Sequence, residues 1–117
     1  SLGDVMNAPN AKTAAAARIQ APVVAENIVA DMRGSSPVAQ YNGYGSCPLT
    51  VERGKIVLAE FGYGGAMLPS FPKMILDGTK PTRAAWFLKE KMLPPVYWKG
   101  MLKGREWMAK PEKIVTK

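Results

Sequence analysis

The chain has 117 residues, of which 47% are hydrophobic and 21% are charged, a balance that is ordinary for one small folded domain and excludes wholesale disorder. A single cysteine excludes an internal disulfide, no apolar run approaches the roughly 18 residues of a membrane-spanning helix, and no signal peptide is predicted. The net charge of +7 is uneven, because residues 80–117 hold ten Lys/Arg and three Asp/Glu whereas residues 1–79 hold six of each.

The first predicted element is a helix over residues 11–33, because this stretch is rich in alanine and places apolar residues four positions apart, as at Ile19 and Val23. Gly34 and the Ser-Ser-Pro that follows it are expected to end the helix. Pro22 cannot donate a backbone hydrogen bond and its ring crowds the preceding turn. It therefore predicts either a kink near the middle of the helix or the start of a second helix there.

The pattern then changes to β-strands. Residues 48–52 and 55–61 are rich in β-forming residues and are separated by an Arg-Gly pair, which predicts a β-hairpin. Residues 62–81 contain the clusters GYGG, LPSFP and DGTKP and are predicted to be loop. The only cysteine, Cys47, lies in YNGYGSCPLT, just before the first predicted strand, where we expect a loop.

The last predicted element is a helical region that opens at Pro81, is interrupted by the Leu-Pro-Pro of residues 93–95, and resumes to about Met108. Its second part is predicted to carry an apolar stripe beside a polar side. The stripe comprises Tyr97, Trp98, Met101, Leu102 and Arg105, and the other side comprises Lys99, Lys103 and Glu106. Together the elements predict an α+β fold with a long N-terminal helix, a β-hairpin or small antiparallel sheet, and C-terminal amphipathic helices.

Two residue pairs near the N-terminus are compatible with flavin binding. Asp4, which follows Gly3 at an expected strand end, can accept hydrogen bonds from ribityl hydroxyls. The helix N–H groups near Thr13, which follows Lys12, favour negative charge at the pyrimidine side of a reduced flavin. Both pairs are common in proteins, so an ordinary solvent-exposed helix cap explains the same residues.

Three stretches of the chain resemble known flavoproteins. LGDVMNAPNAKTAAAARIQAPVVAENI resembles the last flavin-binding segment of two-dinucleotide-domain flavoproteins of the glutathione-reductase type. YNGYGSCPLTVERGKIVLAEFGY and PTRAAWFLKEKMLPPVYWKGMLKGREW together resemble the C-terminal part of a sulfide:quinone oxidoreductase. The resemblance runs from Gly3 to about Trp107, and the GxGxxG dinucleotide fingerprint is missing. It implies a piece of a larger flavoprotein, with residues 1–35 as its final flavin-binding segment and residues 36–117 as a C-terminal domain, in which residues 80–108 face membrane and quinone.

The resemblance implies FAD as the cofactor of the intact protein and a redox role for Cys47. This thiol would carry the sulfide sulfur as a persulfide and exchange with a second cysteine outside this sequence. The chain has no histidine, but none is required, because hydrosulfide is already an anion near neutral pH. A buried structural cysteine is the alternative. Gly3, Asp4, Lys12 and Thr13 would contact the flavin, whereas the isolated 117-residue piece is expected to bind no FAD and to be inactive.

Tyrosines and glycines flank Cys47 in this motif. We expect Tyr41 and Tyr44 to pack on the sheet and assign neither of them a catalytic proton. Gly43 and Gly45 would let the backbone approach the isoalloxazine ring closely.

The resemblance also implies that the basic end attaches to a membrane and frames a quinone pocket, with Trp86, Phe87 and Tyr97 as candidates for its wall. Aromatic rings beside lysines suit a bilayer interface, although a helix packed on the domain fits the pattern equally well; the charge asymmetry favours the membrane. The predicted location is peripheral, on a bacterial cytoplasmic membrane. Nucleic-acid binding is not expected, because few base-reading positions accompany the lysines. No metal site is predicted, and homo-oligomer formation stays open.

The predicted function is therefore oxidation of sulfide to zero-valent sulfur or polysulfide, with electrons passed through FAD to a quinone. One alternative is a related flavoprotein, either the flavin subunit of a flavocytochrome c sulfide dehydrogenase or a type II NADH dehydrogenase, and the latter should not need Cys47. The other is a non-enzymatic membrane-surface interaction domain, which would show no flavin dependence.

Overall fold

The computed structural model of the chain describes residues 1–106 and 108–115. In chain order its helices and strands are α1 (Ala14–Met32), β1 (Ala39–Gln40), β2 (Gly45–Glu52), β3 (Lys55–Phe61), α2 (Arg83–Phe87), α3 (Leu93–Lys99) and β4 (Glu112–Lys113). A π-helical turn, Leu88–Met92, joins α2 to α3. One long helix, two small antiparallel sheets and a C-terminal helical region confirm the predicted α+β class.

Helix α1 begins where a side chain can cap it. The Thr13 side chain accepts a hydrogen bond from the N–H of Ala16 at 3.1 Å, and this fixes the first turn three residues later than the sequence predicted. The helix continues through Pro22 to Met32, so the predicted alternative of a second helix starting at the proline is wrong. A proline removes one backbone donor, whereas the alanine-rich turns on either side keep theirs.

Strands β2 and β3 form the predicted hairpin. They pair antiparallel with Gly45 opposite Phe61 and Cys47 opposite Ala59. The two-residue turn between them uses the positive φ of Gly54, +84°. The first strand begins three residues earlier than predicted, so Cys47 lies inside a strand and the expectation that it occupies a loop is wrong.

The second sheet, β1 with β4, was not predicted. It pairs residues 39–40 with residues 112–113, and two-residue strands are too short to show the alternation by which a strand is recognised in a sequence. Asn27 of α1 holds β1 in place, since its side chain donates to the carbonyl of Ala39 at 2.9 Å and accepts from the N–H groups of Val38 and Ala39 at 2.9 and 3.0 Å. The C-terminal segment therefore lies along α1.

Two ion pairs connect the same C-terminal segment to α1. Arg18 Nε lies 2.7 Å from Glu106 Oε2, and its terminal nitrogen contacts the other carboxylate oxygen. Lys113 pairs with Glu26 two turns further along the helix. The hydrogen bond to Glu106 is the main reason that the pKa of Arg18 is raised, so this guanidinium stays charged.

The core lies between β3, the loop after it and α2. Its buried members are Ile56, Leu58, Leu76 and Ala85, and Phe71, Trp86 and Leu88 pack against them. Ile56 and Thr82 exchange backbone hydrogen bonds of 3.4 and 2.9 Å, which extends β3 by one bridge towards the start of α2. Thr82 also caps α2 by accepting from the N–H of Ala85 at 3.1 Å. Residues 62–81 are mostly turns, as predicted.

The helical region differs from its prediction in two respects. It is not interrupted at residues 93–95. The π-helical turn ends just before α3, so Pro94 and Pro95 occupy the first turn of that helix, where backbone N–H groups have no partner within the helix and a proline loses nothing. It also stops earlier: α3 ends at Lys99, and a short 3-10 turn leads to Gly104, whose φ is +70°. Trp107, within the predicted stripe region, lies outside the described residues. None of the helices in the described part of the chain has the length and hydropathy needed to cross a bilayer.

Candidate functional site

Cys47 is a free thiol in the middle of the hairpin. It is half-buried and lies directly opposite Ala59 in the β2–β3 ladder. Side chains alternate between the two faces of a strand. Ile56 and Leu58, 0% and 7% exposed, occupy the core face of β3, so Cys47 and Ala59 occupy the other face. The thiol is thus held on an ordered strand but turned away from the core of this chain.

Apolar side chains surround Cys47 on that outer face. Leu49, two residues along β2, is 48% exposed, and its partner Val57 is half-buried. A partly accessible thiol on an apolar sheet face can attack a small electrophile or a disulfide that reaches this face.

Aromatic rings of the chain itself fill the space beside the glycines of YNGYG. A Cβ on Gly43 would lie 2.5 Å from the Tyr63 ring, and a Cβ on Gly45 would lie 2.8 Å from the Phe61 ring. A side chain larger than glycine would therefore meet these rings at either position, and the approach of a flavin ring to this backbone stays a prediction. Tyr63 also meets Tyr41 edge to face, with ring centroids 5.9 Å apart.

Tyr41 and Tyr44 both make hydrogen bonds within the chain. The Tyr41 hydroxyl donates to the carbonyl of Tyr44. The Tyr44 hydroxyl donates to Glu60 Oε1 at 2.6 Å and lies 3.2 Å from Ser70 Oγ, while the Ser70 N–H donates to Glu60 Oε2 at 3.0 Å. Burial, and then the hydrogen bond to Glu60, raise the pKa of Tyr44, so it keeps its proton as a donor. This cluster ties the start of β2 to the end of β3 and to the following loop.

The predicted flavin contacts lie on the segment that leads into α1. Gly3 and Asp4 form a 3-10 turn and not the expected strand end, and Asp4 is exposed. The Gly3 N–H donates to Gln20 Oε1 at 2.7 Å, and Gln20 is only 5% exposed. The Lys12 ammonium donates to the carbonyls of Met6 and Ala8, the latter at 3.3 Å. Lys12 therefore closes its own loop in this structure, and Thr13 is the cap of α1.

One side chain joins this N-terminal segment to the Cys47 motif. Asn10 donates to the carbonyl of Gly43, across 33 positions of sequence. Helix α1 also contacts β2. The structure thus brings Lys12 and Thr13 into the same region as the strand that carries Cys47.

The three candidate quinone residues have different surroundings. Trp86 packs on the core, and its indole N–H donates to Glu90 Oε2 at 3.1 Å. Phe87 is 57% exposed, and Tyr97 packs edge to face on Trp98 with centroids 5.1 Å apart. Within the described ranges, no ring contact joins these three residues into one wall. Trp86 is thus packed in part against the core, whereas Phe87 and Tyr97 are exposed.

The predicted apolar stripe is exposed, but only part of it is helical. Trp98 and Leu102 are 62% and 56% exposed, and α3 ends between them. Further exposed apolar residues precede them, namely Phe87, Met92 and Leu93. Trp98 and Leu102 are therefore mostly uncovered by the described part of this chain, and the choice between membrane docking and packing within the intact protein stays a prediction.

Sequence reasoning missed the side chains that connect distant parts of the site. Asn10, Glu60 and Ser70 are single polar residues in loops or at a strand end, with no local pattern that marks them. Lys89 was counted only as part of the basic end, yet its ammonium hydrogen-bonds to β2. Each of these contacts joins residues that are far apart in sequence, so no short-range signal could have found them.

Among the cavities of residues 1–106 and 108–115, two lie away from Cys47. The larger, about 430 Å³, lies between the second half of α1, β1 and β4, and the smaller, about 100 Å³, lies between β3 and the loop after it. Neither is lined by Cys47 or by any candidate flavin or quinone residue. Within the described part of the chain, these two cavities are therefore separate from the candidate site.

Comparison with known proteins identifies what the chain resembles. No model of a known protein family matches it. A protein of Dictyostelium discoideum named "Sulfide:quinone oxidoreductase, mitochondrial" is 44% identical over 110 residues, which are 94% of this chain and 24% of that protein. This chain is homologous to a segment of the sulfide:quinone oxidoreductases. Proteins of the same name from Schizosaccharomyces pombe and Mus musculus are 39% and 36% identical over 92% and 88% of the chain.

The relatives confirm the resemblance seen in the sequence and define its extent. The chain spans about a quarter of the length of the sulfide:quinone oxidoreductases it matches, 22 to 24% of each. It is therefore comparable to one piece of those proteins, as the missing dinucleotide fingerprint led us to expect.

The predicted location on a bacterial cytoplasmic membrane is wrong. All three sulfide:quinone oxidoreductase relatives come from eukaryotes, and all three are named as mitochondrial. Amphipathic and aromatic patterns report affinity for a bilayer surface but carry no information about which membrane it is.

Proposed function

We propose that this chain is part of a flavoenzyme that oxidises sulfide to zero-valent sulfur and passes the electrons to a quinone. The observation that supports this most directly is Cys47: a free, half-buried thiol, fixed on β2, inside a segment that is 44% identical to a protein named sulfide:quinone oxidoreductase. The full activity requires the rest of the protein, since this chain corresponds to about a quarter of that relative.

Cys47 would bind the sulfide sulfur. A thiolate and a hydrosulfide ion that join as a persulfide lose one proton and two electrons. FAD, when bound, takes up the two electrons and delivers them to a quinone. The persulfide sulfur would then pass to a second cysteine outside this chain, which leaves Cys47 free again. The apolar face around the thiol would limit competing reactions with water.

The N-terminal residues fit a flavin in part. The first turn of α1 presents N–H groups that the helix itself does not use, and Thr13 caps only that of Ala16. These groups and the exposed carboxylate of Asp4 supply donors and acceptors of the kind that a flavin ring and its ribityl chain require. Gly3, with a φ of +70°, would allow the turn at Asp4, and Lys12 would shape the loop between them.

Membrane attachment and quinone access would come from the C-terminal helical region. Phe87, Tyr97, Trp98 and Leu102 are all more than two-fifths exposed, within the part of the chain that carries the whole net charge of +7. Exposed aromatic rings beside lysines favour the interface of an anionic bilayer. Because the relatives are named as mitochondrial, we propose a mitochondrial membrane surface as the location.

The deciding experiment replaces Cys47 in the full-length protein. We expect Cys47→Ala to abolish sulfide-dependent quinone reduction while FAD stays bound, because only the sulfur acceptor is lost. Ser46→Ala is the matched control, since Ser46 is the neighbouring residue on the opposite face of β2. Near wild-type turnover in Cys47→Ala would contradict the proposal. Quinone reduction by NADH that does not depend on Cys47 would instead favour a type II NADH dehydrogenase.

A further inference from the structure

Lys89 connects the helical region to the strand that carries Cys47. Lys89 lies in the π-helical turn, two residues after Phe87. Its ammonium donates to the carbonyl of Pro48 at 3.2 Å and to the hydroxyl of Thr50 at 2.9 Å. Pro48 is the residue directly after Cys47, so one side chain reaches from the proposed quinone side to the backbone next to the proposed sulfide-binding thiol.

The hydrogen-bond pattern of the hairpin explains why that carbonyl is available. Ile56 bonds through its backbone to Thr82, on the side of β3 away from β2, so the pair Ile56–Thr50 is not hydrogen-bonded across the hairpin. Bonded and non-bonded pairs alternate along an antiparallel ladder. The pair Cys47–Ala59 is therefore bonded, and the Pro48 carbonyl points to the outer edge of β2. An edge position also tolerates the missing N–H of a proline.

Strand β2 is held at both of its edges near Cys47. The Cys47 backbone is held from one side by Ala59 of β3, and the next residue is held from the other side by Lys89. An ammonium has three donors, and two of them are used on β2. Hydrogen bonds to a charged donor are stronger than neutral ones. Lys91 belongs to the same turn, but its partner is Glu90 at 3.8 Å, and its side chain is 62% exposed.

We propose that Lys89 is a positioning residue for Cys47: it holds the outer edge of β2 on the helical region and thereby sets where the thiol lies. This inference rests on the proposed function for its consequence, since the thiol is proposed to receive the sulfide sulfur. Lys89 acts through the Pro48 carbonyl and the Thr50 hydroxyl and has no contact with Cys47 itself in this proposal. Its loss should therefore affect the sulfide half-reaction and leave the quinone half-reaction intact.

The test uses three variants of the full-length protein. Lys89→Met keeps the aliphatic stem but removes the donors, Lys89→Arg keeps a charged donor, and Lys91→Met removes an equal charge from the same turn. The first measurement is the rate at which iodoacetamide alkylates Cys47, followed by mass spectrometry of the peptide that contains it. The second is flavin reduction by sulfide, and the third is reoxidation by quinone of enzyme that was reduced with dithionite. Thermal unfolding of each variant is recorded in parallel.

We expect Lys89→Met to slow flavin reduction by sulfide about tenfold, the factor that corresponds to about 1.4 kcal/mol of a charge-assisted hydrogen bond. Its Cys47 alkylation rate should change severalfold and its unfolding temperature should fall slightly below that of Lys91→Met, because two hydrogen bonds to β2 are lost, whereas quinone reoxidation should match that of Lys91→Met. Lys89→Arg should restore most of both lost properties. If Lys89→Met behaves like Lys91→Met, or if it lowers the unfolding temperature and slows both half-reactions together, the positioning role is wrong. If the wild-type protein does not oxidise sulfide, the proposed function fails, and the alkylation rates still decide the role of Lys89.

Discussion

Gly43→Ala tests whether packing inside the YNGYG motif holds the entry to β2. Gly43 has a φ of +83°, and left-handed backbone costs an alanine about 1 kcal/mol. Its new Cβ would also lie 2.5 Å from Cγ of Tyr63, so the ring must shift, which disturbs its edge-to-face contact with Tyr41. Loss of an edge-to-face pair and local overpacking together cost about 2 kcal/mol. We therefore expect a destabilisation of about 3 kcal/mol in this segment.

Gly54→Ala is the matched control for that prediction. Gly54 has a φ of +84°, and among the described residues no atom lies within 4 Å of the position of its Cβ. Gly54→Ala should therefore lower the free energy of unfolding only by the backbone strain, about 1 kcal/mol. The remaining difference of about 2 kcal/mol belongs to the contact with Tyr63.

The assay is hydrogen exchange of the full-length protein, followed by mass spectrometry. Opening of residues 41–47 together with the β2–β3 hairpin relieves the overlap and the backbone strain at either glycine, so exchange in a peptide that spans residues 41–47 should be about thirtyfold faster in Gly43→Ala than in Gly54→Ala. The peptide that covers α1 should exchange alike in both variants. Equal exchange in residues 41–47 of the two variants would refute the packing argument, because the Tyr63 ring would then have yielded at no cost.

Three further predictions concern the membrane, the cofactor and pH. Full-length protein should stay on anionic liposomes at 1 M salt, where the Debye length is about 3 Å and charge attraction is screened but apolar insertion is not. The double variant Trp98→Asp with Leu102→Asp should leave the liposomes, and its quinone reduction should be impaired more than its flavin reduction by sulfide. Met32→Asp, a change at a residue of α1 that is 82% exposed, should not release the protein from liposomes. Continued sedimentation of the double variant would contradict membrane docking through the C-terminal helical region. The isolated 117-residue chain should purify without flavin, because the pyrophosphate fingerprint is missing, and stoichiometric flavin absorbance would show the opposite. Because the pKa of Tyr44 is raised in the folded protein, Tyr44 contributes stability below its unfolded pKa of about 10, and this stability is lost as pH rises through the folded pKa. The unfolding temperature of Tyr44→Phe should therefore fall less steeply above pH 10 than that of the wild type. Parallel profiles of unfolding temperature against pH would contradict this prediction.

Local chemistry explains what could be predicted from the sequence. The Arg-Gly pair between two β-rich runs predicts the hairpin, because a tight turn needs a residue that tolerates positive φ, as Gly54 does. The alanine-rich stretch predicts α1, although the cap at Thr13 starts the helix three residues later than predicted. The motifs around Cys47 and residues 81–107 identified the family, which the relatives then confirmed. All of these signals lie within one turn, one strand or one continuous motif.

Tertiary structure decided the features that depend on residues distant in sequence. Cys47 became part of a strand because β3 supplies Ala59 opposite it and leaves the Pro48 edge free. Lys89 reaches that edge across 41 positions of sequence, a contact that no local propensity encodes. The β1–β4 sheet likewise depends on Asn27 presenting an amide to β1, since two-residue strands have too little periodic pattern to be recognised and too few hydrogen bonds to form without support. The sequence determines which donors and acceptors the chain carries, but the packing of α1 and the helical region on the hairpin determines which of them form hydrogen bonds.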